Sequence, residues 1–327
     1  MTDVIKAVID AINKAESIVL SSHISPEGDA IGSVLGLALS LKKMGKKVSV
    51  INSDPVPEFL SFLPGKDMIA LSGRLGAAHD LWIVLDCEPA RTGMKDYDNP
   101  PVGKVVNIDH HITNPRTADI CWVDPEAAAA GEMVYDLLVA MDAPVDKDIA
   151  TNLYTSIFTD TGSFRYSNTD EESLVKAGRL LSYGVNTWEI SEHVYETKSY
   201  PRMKLLGLVL SGLERSGDGR LAWVSVYEKY YAETGTSAED TDGFINYPRA
   251  VKDVEVALLF RETGDGRIKV SFRSKGRVNV SSLAESLGGG GHPNAAGATL
   301  TGAMEEVRGI VVQKVSALID KALSGAA

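Results

Sequence analysis

The sequence predicts an α/β protein of two domains. An N-terminal, mostly parallel sheet flanked by helices is followed by a smaller C-terminal α/β domain, with the active cleft between them. Three observations carry this expectation. The 327 residues exceed what one hydrophobic core usually holds. In the first half, strand-sized β-branched runs alternate with helical patterns, as they do when parallel strands are joined by crossover helices. Beyond residue 214 the texture changes to strands joined by short turns, ahead of a closing helix.

The elements follow in order. Residues 4–15 repeat apolar positions at helical spacing, and 17–22 form a β-like run ending at His23. Residues 29–44 read as a helix closed by Gly45, and 47–51 as the next strand. The runs 81–85 and 104–108 are strand-sized, so a parallel sheet with helices on both faces is expected. From 125 to 184 the pattern is helical almost throughout, with breaks at Ala143-Pro144 and Asp160-Thr161-Gly162. Domain bounds of 1–185 and 215–327 follow. Between them 186–214 is a helical linker, broken at Ser199-Tyr200-Pro201. In the second domain 221–227, 254–260 and 267–272 read as strands, 261–266 as a hairpin connection and 303–323 as a helix.

Composition narrows the partners. Lys and Arg total 33 against 44 Asp and Glu, a net charge of −11. Such a chain does not coat long duplex nucleic acid, which needs many cationic contacts to phosphate, although a local basic pocket suffices for a small phosphorylated ligand. Cys87 and Cys121 are the only cysteines and form no C-x-x-C pair, which argues against a disulfide framework or thiolate zinc site. The N-terminal stretch lacks a signal-peptide layout and no apolar run reaches membrane-span length. The expectation is a cytoplasmic protein without a membrane partner; a homodimer is compatible with the sequence.

The strands of the first half end in chemistry. The first leads into His23-Ile24-Ser25-Pro26-Glu27-Gly28-Asp29, the run 81–85 into Asp86, and the run 104–108 into Asp109-His110-His111. Ligands of open α/β sheets bind beyond the carboxyl ends of the strands, so these segments should converge, with Asp160 completing the set. Each pair of carboxylates at ~4 Å would repel by roughly 4 kcal/mol even at a dielectric near 20. Two divalent cations cancel the four charges of Glu27, Asp29, Asp86 and Asp160, while His23 and His110 add neutral imidazoles. Mixed carboxylate and imidazole ligation without thiolate suits Mn²⁺ better than a structural zinc site. Two such ions can share a carboxylate and activate a bridging hydroxide for in-line attack on phosphorus. Taken singly, a carboxylate at a strand end is often only a cap, and Asp29 could cap the helix that follows it. The joint pattern of His-x-x-x-Glu-x-Asp, then Asp, then Asp-His-His is hard to obtain by chance. Two distractors fall away. Asp160-Thr161-Gly162-Ser163 resembles the aspartic-protease tripeptide but lacks a second copy and a β-rich frame. Cys87, beside Asp86, reads as a small core residue.

These segments resemble the DHH phosphoesterase superfamily, in its two-domain branch with the DHH-associated C-terminal domain. The matching stretches are HISPEGDAIGS (23–33), VLDCEPARTG (84–93), NIDHHITN (107–114), FTDTGSFRYS (158–167) and GGGGHPNAAGA (288–298). Within it the chain is most similar to the nanoRNase and 3′-phosphoadenosine-5′-phosphate phosphatase group. The resemblance implies one Mn²⁺ held by His23, Glu27 and Asp86, and a second by Asp29, Asp86, His110 and Asp160, with Asp86 bridging. It implies that Asp109 orients a ligand histidine and that His111 faces the scissile phosphate. The one departure is Glu27, where the family usually has Asp.

In the second domain four glycines precede His292, and their bare backbone lets N–H groups approach an anion closely. Arg267, Lys269, Arg273, Lys275 and Arg277 share one face if the strand continues. The bland reading is a solvated strand and a loose loop. The resemblance makes Arg273, Gly289, Gly290, Gly291 and His292 the binders of the far end of the substrate. The expected reaction is hydrolysis of very short oligoribonucleotides and 3′-phosphoadenosine 5′-phosphate. The alternatives are a linear or cyclic dinucleotide phosphodiesterase, an inorganic pyrophosphatase, or a nucleotide sensor without catalysis.

Overall fold

A computed structural model describes residues 2–76 and 78–324. It divides into two compact units, Met1–Thr197 and Lys198–Ala327.

In the first unit six strands, β1 (Ser17–Ser21), β2 (Lys47–Asn52), β3 (Ile69–Leu71), β4 (His79–Leu85), β5 (Val102–Asp109) and β6 (Ile120–Val123), lie in the order 3-2-1-4-5-6. All five ladders are parallel. Asp80 sets the β1–β4 register, because its Oδ2 accepts from the Glu16 and Ser17 backbone N–H groups at 2.9 and 2.8 Å. Strand order reverses between β1 and β4, which opens a crevice at the carboxyl ends of these two strands.

Helices α1 (Asp3–Lys14), α2 (Gly28–Lys43), α3 (Ala130–Ala140) and α4 (Lys147–Asp160) bury one face of the sheet. Val8 and Ile12 of α1, and Val34, Leu37 and Leu41 of α2, meet Ile18, Leu20, Leu81 and Ile83. Each such fully buried side chain contributes about 1.5–3 kcal/mol. The expectation of helices on both faces is corrected here. Val19, Trp82 and Val84 point the other way and pack on Leu75, Cys87 and Met94 of connecting segments. The segment 86–101 between β4 and β5 forms a single 3-10 turn, Pro89–Thr92, where a crossover α-helix was expected. Two further helices, α5 (Glu171–Leu181) and α6 (Thr187–Ser191), complete this unit before a π-helical turn at Glu192–Glu196.

Close approach of α2 and α4 positions the site. Gly28, Gly32 and Gly36 lie in one row of α2, and a Cβ at Gly32 would stand 2.4 Å from the Asn152 carbonyl of α4. Only glycine lets the two backbones come this near, with Asp29 on one helix and Asp160 ending the other.

The second unit opens with α7 (Tyr200–Ser211), whose N-cap Ser199 and first-turn Pro201 account for the break read in the sequence. Its strands are β7 (Glu214–Arg215), β8 (Leu221–Val226), β9 (Val256–Glu262), β10 (Arg267–Ser274), β11 (Gly290–His292) and β12 (Ala295–Thr301), in the order 11-12-10-9-8-7. The sheet is mixed, with only β8 and β9 parallel. Short helices α8 (Glu228–Thr234), α9 (Asn246–Ala250) and α10 (Ser281–Ser286) precede the closing α11 (Met304–Ser324). Ile268, Val270 and Phe272 of β10 bury one sheet face against Val307, Val311 and Val315 of α11. β9 continues through Arg261 and Glu262, which the sequence reading gave to the hairpin connection. Among the described residues no helix is long and apolar enough to cross a membrane.

Candidate metal centre

His23 stands two residues past β1, Asp86 one residue past β4, and Asp109 ends β5 with His110 and His111 next. The crevice where strand order reverses therefore receives all of them. Asp86 adopts a left-handed backbone, φ +63°, a conformation that Asp tolerates better than most side chains and that functional turns often hold. Its carboxylate is buried. Oδ2 lies 3.3 Å from His23 Nε2, and Oδ1 lies 3.4 Å from His110 Nε2 and 3.7 Å from His111 Nδ1. Oδ1 accepts no hydrogen bond from any described residue. A buried carboxylate oxygen without a partner costs free energy unless a cation meets it.

Around Asp86 two sets of ligand atoms converge, each within 4.8 Å: Asp86, His110 and His111, and Asp29, His110 and Asp160. His110 Nε2 is 3.5 Å from Asp29 Oδ2 and 3.8 Å from Asp160 Oδ2. Both inner histidines are oriented by their other nitrogen: His23 Nδ1 contacts the Ile24 carbonyl at 2.8 Å and His110 Nδ1 the Ala127 carbonyl at 3.1 Å. Donating Nδ1–H to a carbonyl leaves Nε2 as a lone pair aimed at the carboxylates, the arrangement that metal-ligating histidines use. The donor set of oxygen and imidazole nitrogen thus fits hard divalent ions.

Asp29 does not cap α2. The N-cap there is Glu27, which makes no side-chain cap bond. Asp29 instead receives the Ala130 and Gly131 N–H groups at the start of α3, at 2.7 and 3.1 Å, together with the Ser156 hydroxyl. Asp109 holds His111, with Oδ1 accepting from Nδ1 at 2.7 Å, and Asn114 bonds its other oxygen. The histidine that Asp109 orients is therefore the partly exposed His111, whereas His110 is oriented by a backbone carbonyl. Glu27 belongs to neither converging set and is exposed as a residue, but its carboxyl reaches the site: burial and the Asp86 charge raise its pKa, with His23 opposing. Sequence reasoning missed Ser156, Asn114 and Asn168, whose amide reaches Asp160 Oδ2 at 3.3 Å. Asn114 lies inside the quoted NIDHHITN stretch, but nothing in the sequence marks Ser156 as a neighbour of Asp29.

The electrostatics record crowded negative charge. Burial, with Asp86 and Asp160 nearby, pushes Asp29 well above the usual carboxylate range. Burial likewise lifts Asp160 to about 6, with His110 opposing and Asp86 adding. His110 is raised to about 10: burial alone would lower it, but Asp86, Asp29 and Asp160 win. Asp86 stays at about 2 against burial because His110 and His23 stabilise its charge. Protons thus fill the place that cations would take. Burial also pushes the Cys87 thiol well up, as an inert core cysteine requires.

One consequence concerns stability. The Asp160 carboxyl titrates above its ordinary 3.8, so its stabilising proton is fully bound below about pH 4, and that stability is lost as pH rises towards 6. In chelator, Asp160→Asn should match wild type in unfolding free energy from urea titration at pH 4 and exceed it at pH 7.5, by on the order of 1–3 kcal/mol. Equal stability at both pH values would remove the crowding argument.

In the second unit the basic face is smaller than the sequence reading made it. β10 ends at Ser274, whose Oγ accepts the Gly276 N–H at 3.1 Å, and Gly276 turns the chain with φ +109°. Lys275 and Arg277 therefore leave the strand. Lys275 Nζ donates to the Val251 carbonyl at 3.2 Å, and Arg277 pairs with Glu255. Arg267 pairs with Asp265. Arg273 remains on the face, half-buried, and burial together with the Arg249 charge lowers its pKa. In the glycine run, a Cβ at Gly289 would stand 2.0 Å from the Gly297 carbonyl, and one at Gly291 2.5 Å from that of Ala295. Close approach to β12 thus requires both glycines, whereas Gly290 faces open space and His292 is exposed.

Comparison with known proteins bears on this geometry. Residues 17–157 match the DHH family N-terminal domain and residues 223–323 the DHHA1 domain. The chain is 40% identical to the "bifunctional oligoribonuclease and PAP phosphatase NrnA" of Thermus thermophilus, across 87% of this chain and 84% of the relative. It is 31% identical to the protein of the same description from Bacillus subtilis, across 90% and 92%. The crystal structure of an exopolyphosphatase-related protein from Bacteroides fragilis is similar with a TM-score of 0.88 at 32% identity, covering 96% of this chain and 97% of that one. A parallel sheet that gathers Asp86, Asp-His-His and Asp160 at its switch point thus accompanies similarity along both units, and the chain belongs to the DHH family in its two-domain form with a DHHA1 domain.

Proposed function

We propose that the protein is a Mn²⁺-dependent phosphoesterase that hydrolyses very short oligoribonucleotides and 3′-phosphoadenosine 5′-phosphate. The observation that carries this reading is Asp86 Oδ1, buried and without a hydrogen bond among two histidines and converging carboxylates. The relatives described as oligoribonuclease and PAP phosphatase supply the substrate class. His23, Glu27 and Asp86 would hold one ion, and Asp29, Asp86, His110 and Asp160 the other. Such ions, when bound, neutralise the phosphate and lower the pKa of the attacking water.

The chain's own residues do the rest. Asp86, with one oxygen toward His23 and the other toward His110, joins the two halves of the site. The Ser156 hydroxyl and the α3 N-terminus hold Asp29 in place, so its carboxylate does not reorganise during the reaction. Asp109 fixes His111 through Nδ1 and stabilises its protonated form. That leaves Nε2 of a 41% exposed ring to donate to a phosphate oxygen or to the leaving oxygen. Arg273, the glycine run and His292 would hold the far end of the nucleotide. Two free cysteines, one of them buried, accord with a reducing cytoplasm.

The test is a panel of RNA dinucleotide to pentanucleotide, 3′-phosphoadenosine 5′-phosphate, a linear adenine dinucleotide, cyclic-di-AMP and pyrophosphate. Hydrolysis of the short RNAs and the bisphosphate is expected. Chelator should abolish it, and Mn²⁺ should restore it better than Mg²⁺, which prefers an all-oxygen hydrated shell to imidazole. Full activity in excess chelator, or cleavage confined to pyrophosphate or cyclic-di-AMP, would contradict the proposal.

A further inference from the structure

Of the five cations between 267 and 277, Arg267, Lys275 and Arg277 are satisfied within the protein. Lys269 and Arg273 are not. Lys269 makes no ion pair or side-chain hydrogen bond among the described residues, and Arg273 donates only to the Phe272 carbonyl, at 3.1 Å. Both lie with Ser271 on one face of β10, since Ile268, Val270 and Phe272 take the other face into the core. Across the ladder Lys269 stands directly opposite Arg261 of β9. Like charges in directly opposed positions destabilise a sheet. Arg261 is tethered, with Nη1 donating to the Ala238 carbonyl at 2.8 Å and to Thr241 Oγ1 at 2.9 Å. A chain with 44 acidic residues has placed two cations face to face, and among the described residues neither is paired with a carboxylate.

A cavity of about 360 Å³ opens at this point, lined by Arg261, Lys269, Ser271, Arg273, Asn246 and Asp242 among others. Asp242 lies near Arg273, and Glu239 also lines the cavity, so its walls carry three positive charges against two negative ones. The Lys269 and Arg273 backbones are four residues apart on the strand, about 13 Å at ~3.3 Å per residue. That separation serves two phosphates rather than one.

We propose that this cavity is a second anion subsite, in which Lys269, Arg261 and the Ser271 hydroxyl hold a phosphate of an oligoribonucleotide one unit beyond the phosphate held by Arg273. The proposal rests on the reading above, in which Arg273 takes the far end of the substrate. A dinucleotide or bisphosphate has no phosphate left for this cavity, so the subsite makes binding depend on RNA length.

The test is fluorescence anisotropy with 5′-labelled RNA dinucleotide, trinucleotide and pentanucleotide in chelator, alongside hydrolysis of the same RNAs with Mn²⁺. In Lys269→Ala the ratio of pentanucleotide to dinucleotide affinity should fall about tenfold. The slope of log affinity against log salt for the pentanucleotide should flatten by ~0.7, one phosphate contact to a single strand. Lys269→Arg should restore the ratio. An unchanged ratio, or an equal loss at every length, overturns the subsite. If wild type cleaves RNA but Lys269→Ala leaves the ratio unchanged, only the subsite falls. If wild type cleaves no RNA yet binds it with the Lys269-dependent length effect, the proposed reaction falls and the subsite stands.

Discussion

Asp86→Ala should reduce phosphoester hydrolysis to below a few per cent of wild type while the protein stays folded. Asp86 lies beyond the end of β4 rather than within it, and its backbone N–H bond to the Ile108 carbonyl, at 3.0 Å, does not involve the side chain. What the variant loses is the one carboxylate that faces both His23 and His110. Removing a group on which several others converge costs far more than a single contact, because groups acting as a unit are not additive. Rates with a saturating nucleotide, together with far-UV circular dichroism and a urea midpoint, check both parts. An unfolded variant would say nothing of the site, so Asp86→Asn, which keeps size and shape, is the companion. If either folded variant keeps more than a few per cent of the rate, Asp86 does not join two halves of a site.

Arg273→Ala should lower kcat/KM for a short RNA by roughly 10- to 150-fold, the cost of a lost charge-assisted hydrogen bond of about 1.5–3 kcal/mol. The guanidinium is half-buried, with no carboxylate paired to it among the described residues and Arg249 nearby. A cation held out of water in this way gains most from an arriving anion. The loss should fall in KM if the contact is equal in ground and transition states, and in kcat if it positions the scissile bond. Bis-p-nitrophenyl phosphate offers no distal phosphate, so its hydrolysis should barely change. An equal fall for both substrates would place Arg273 in catalysis or folding instead of substrate recognition.

Much of this was legible in the sequence, for reasons that particular residues make plain. Strands β1, β2, β4 and β5 are β-branched runs between turn signals, and their carboxyl ends carry His23, Asp86 and Asp-His-His. Parallel topology then brings strand ends together almost by necessity. The edge strands were not legible: β3 has three residues and β6 four, too short for a periodicity to register. β12 reads AAGATLT, small residues of weak strand propensity that make sense only against the glycines of β11. The glycine run looked like an anion cradle, yet Gly289 and Gly291 are also demanded by that neighbouring strand. Alternation through Arg277 failed because Ser274 and Gly276 end the strand, a side-chain bond to backbone that period-2 reasoning does not see. Asp29 could be read as a cap, but not as the cap of α3, whose first residues lie a hundred positions away. Tertiary partners of this kind have no local signature.

The central claim is that Asp86 unites two cation sites. Isothermal titration of chelator-stripped protein with Mn²⁺ tests it most directly. Two ions per chain are expected for wild type, with proton release as His110 and Asp160 give up the protons that burial and crowding hold on them. Asp86→Ala should bind at most one ion, and weakly. Wild type that takes up a single ion, or an Asp86→Ala protein that still binds two with unchanged affinity, would contradict the account.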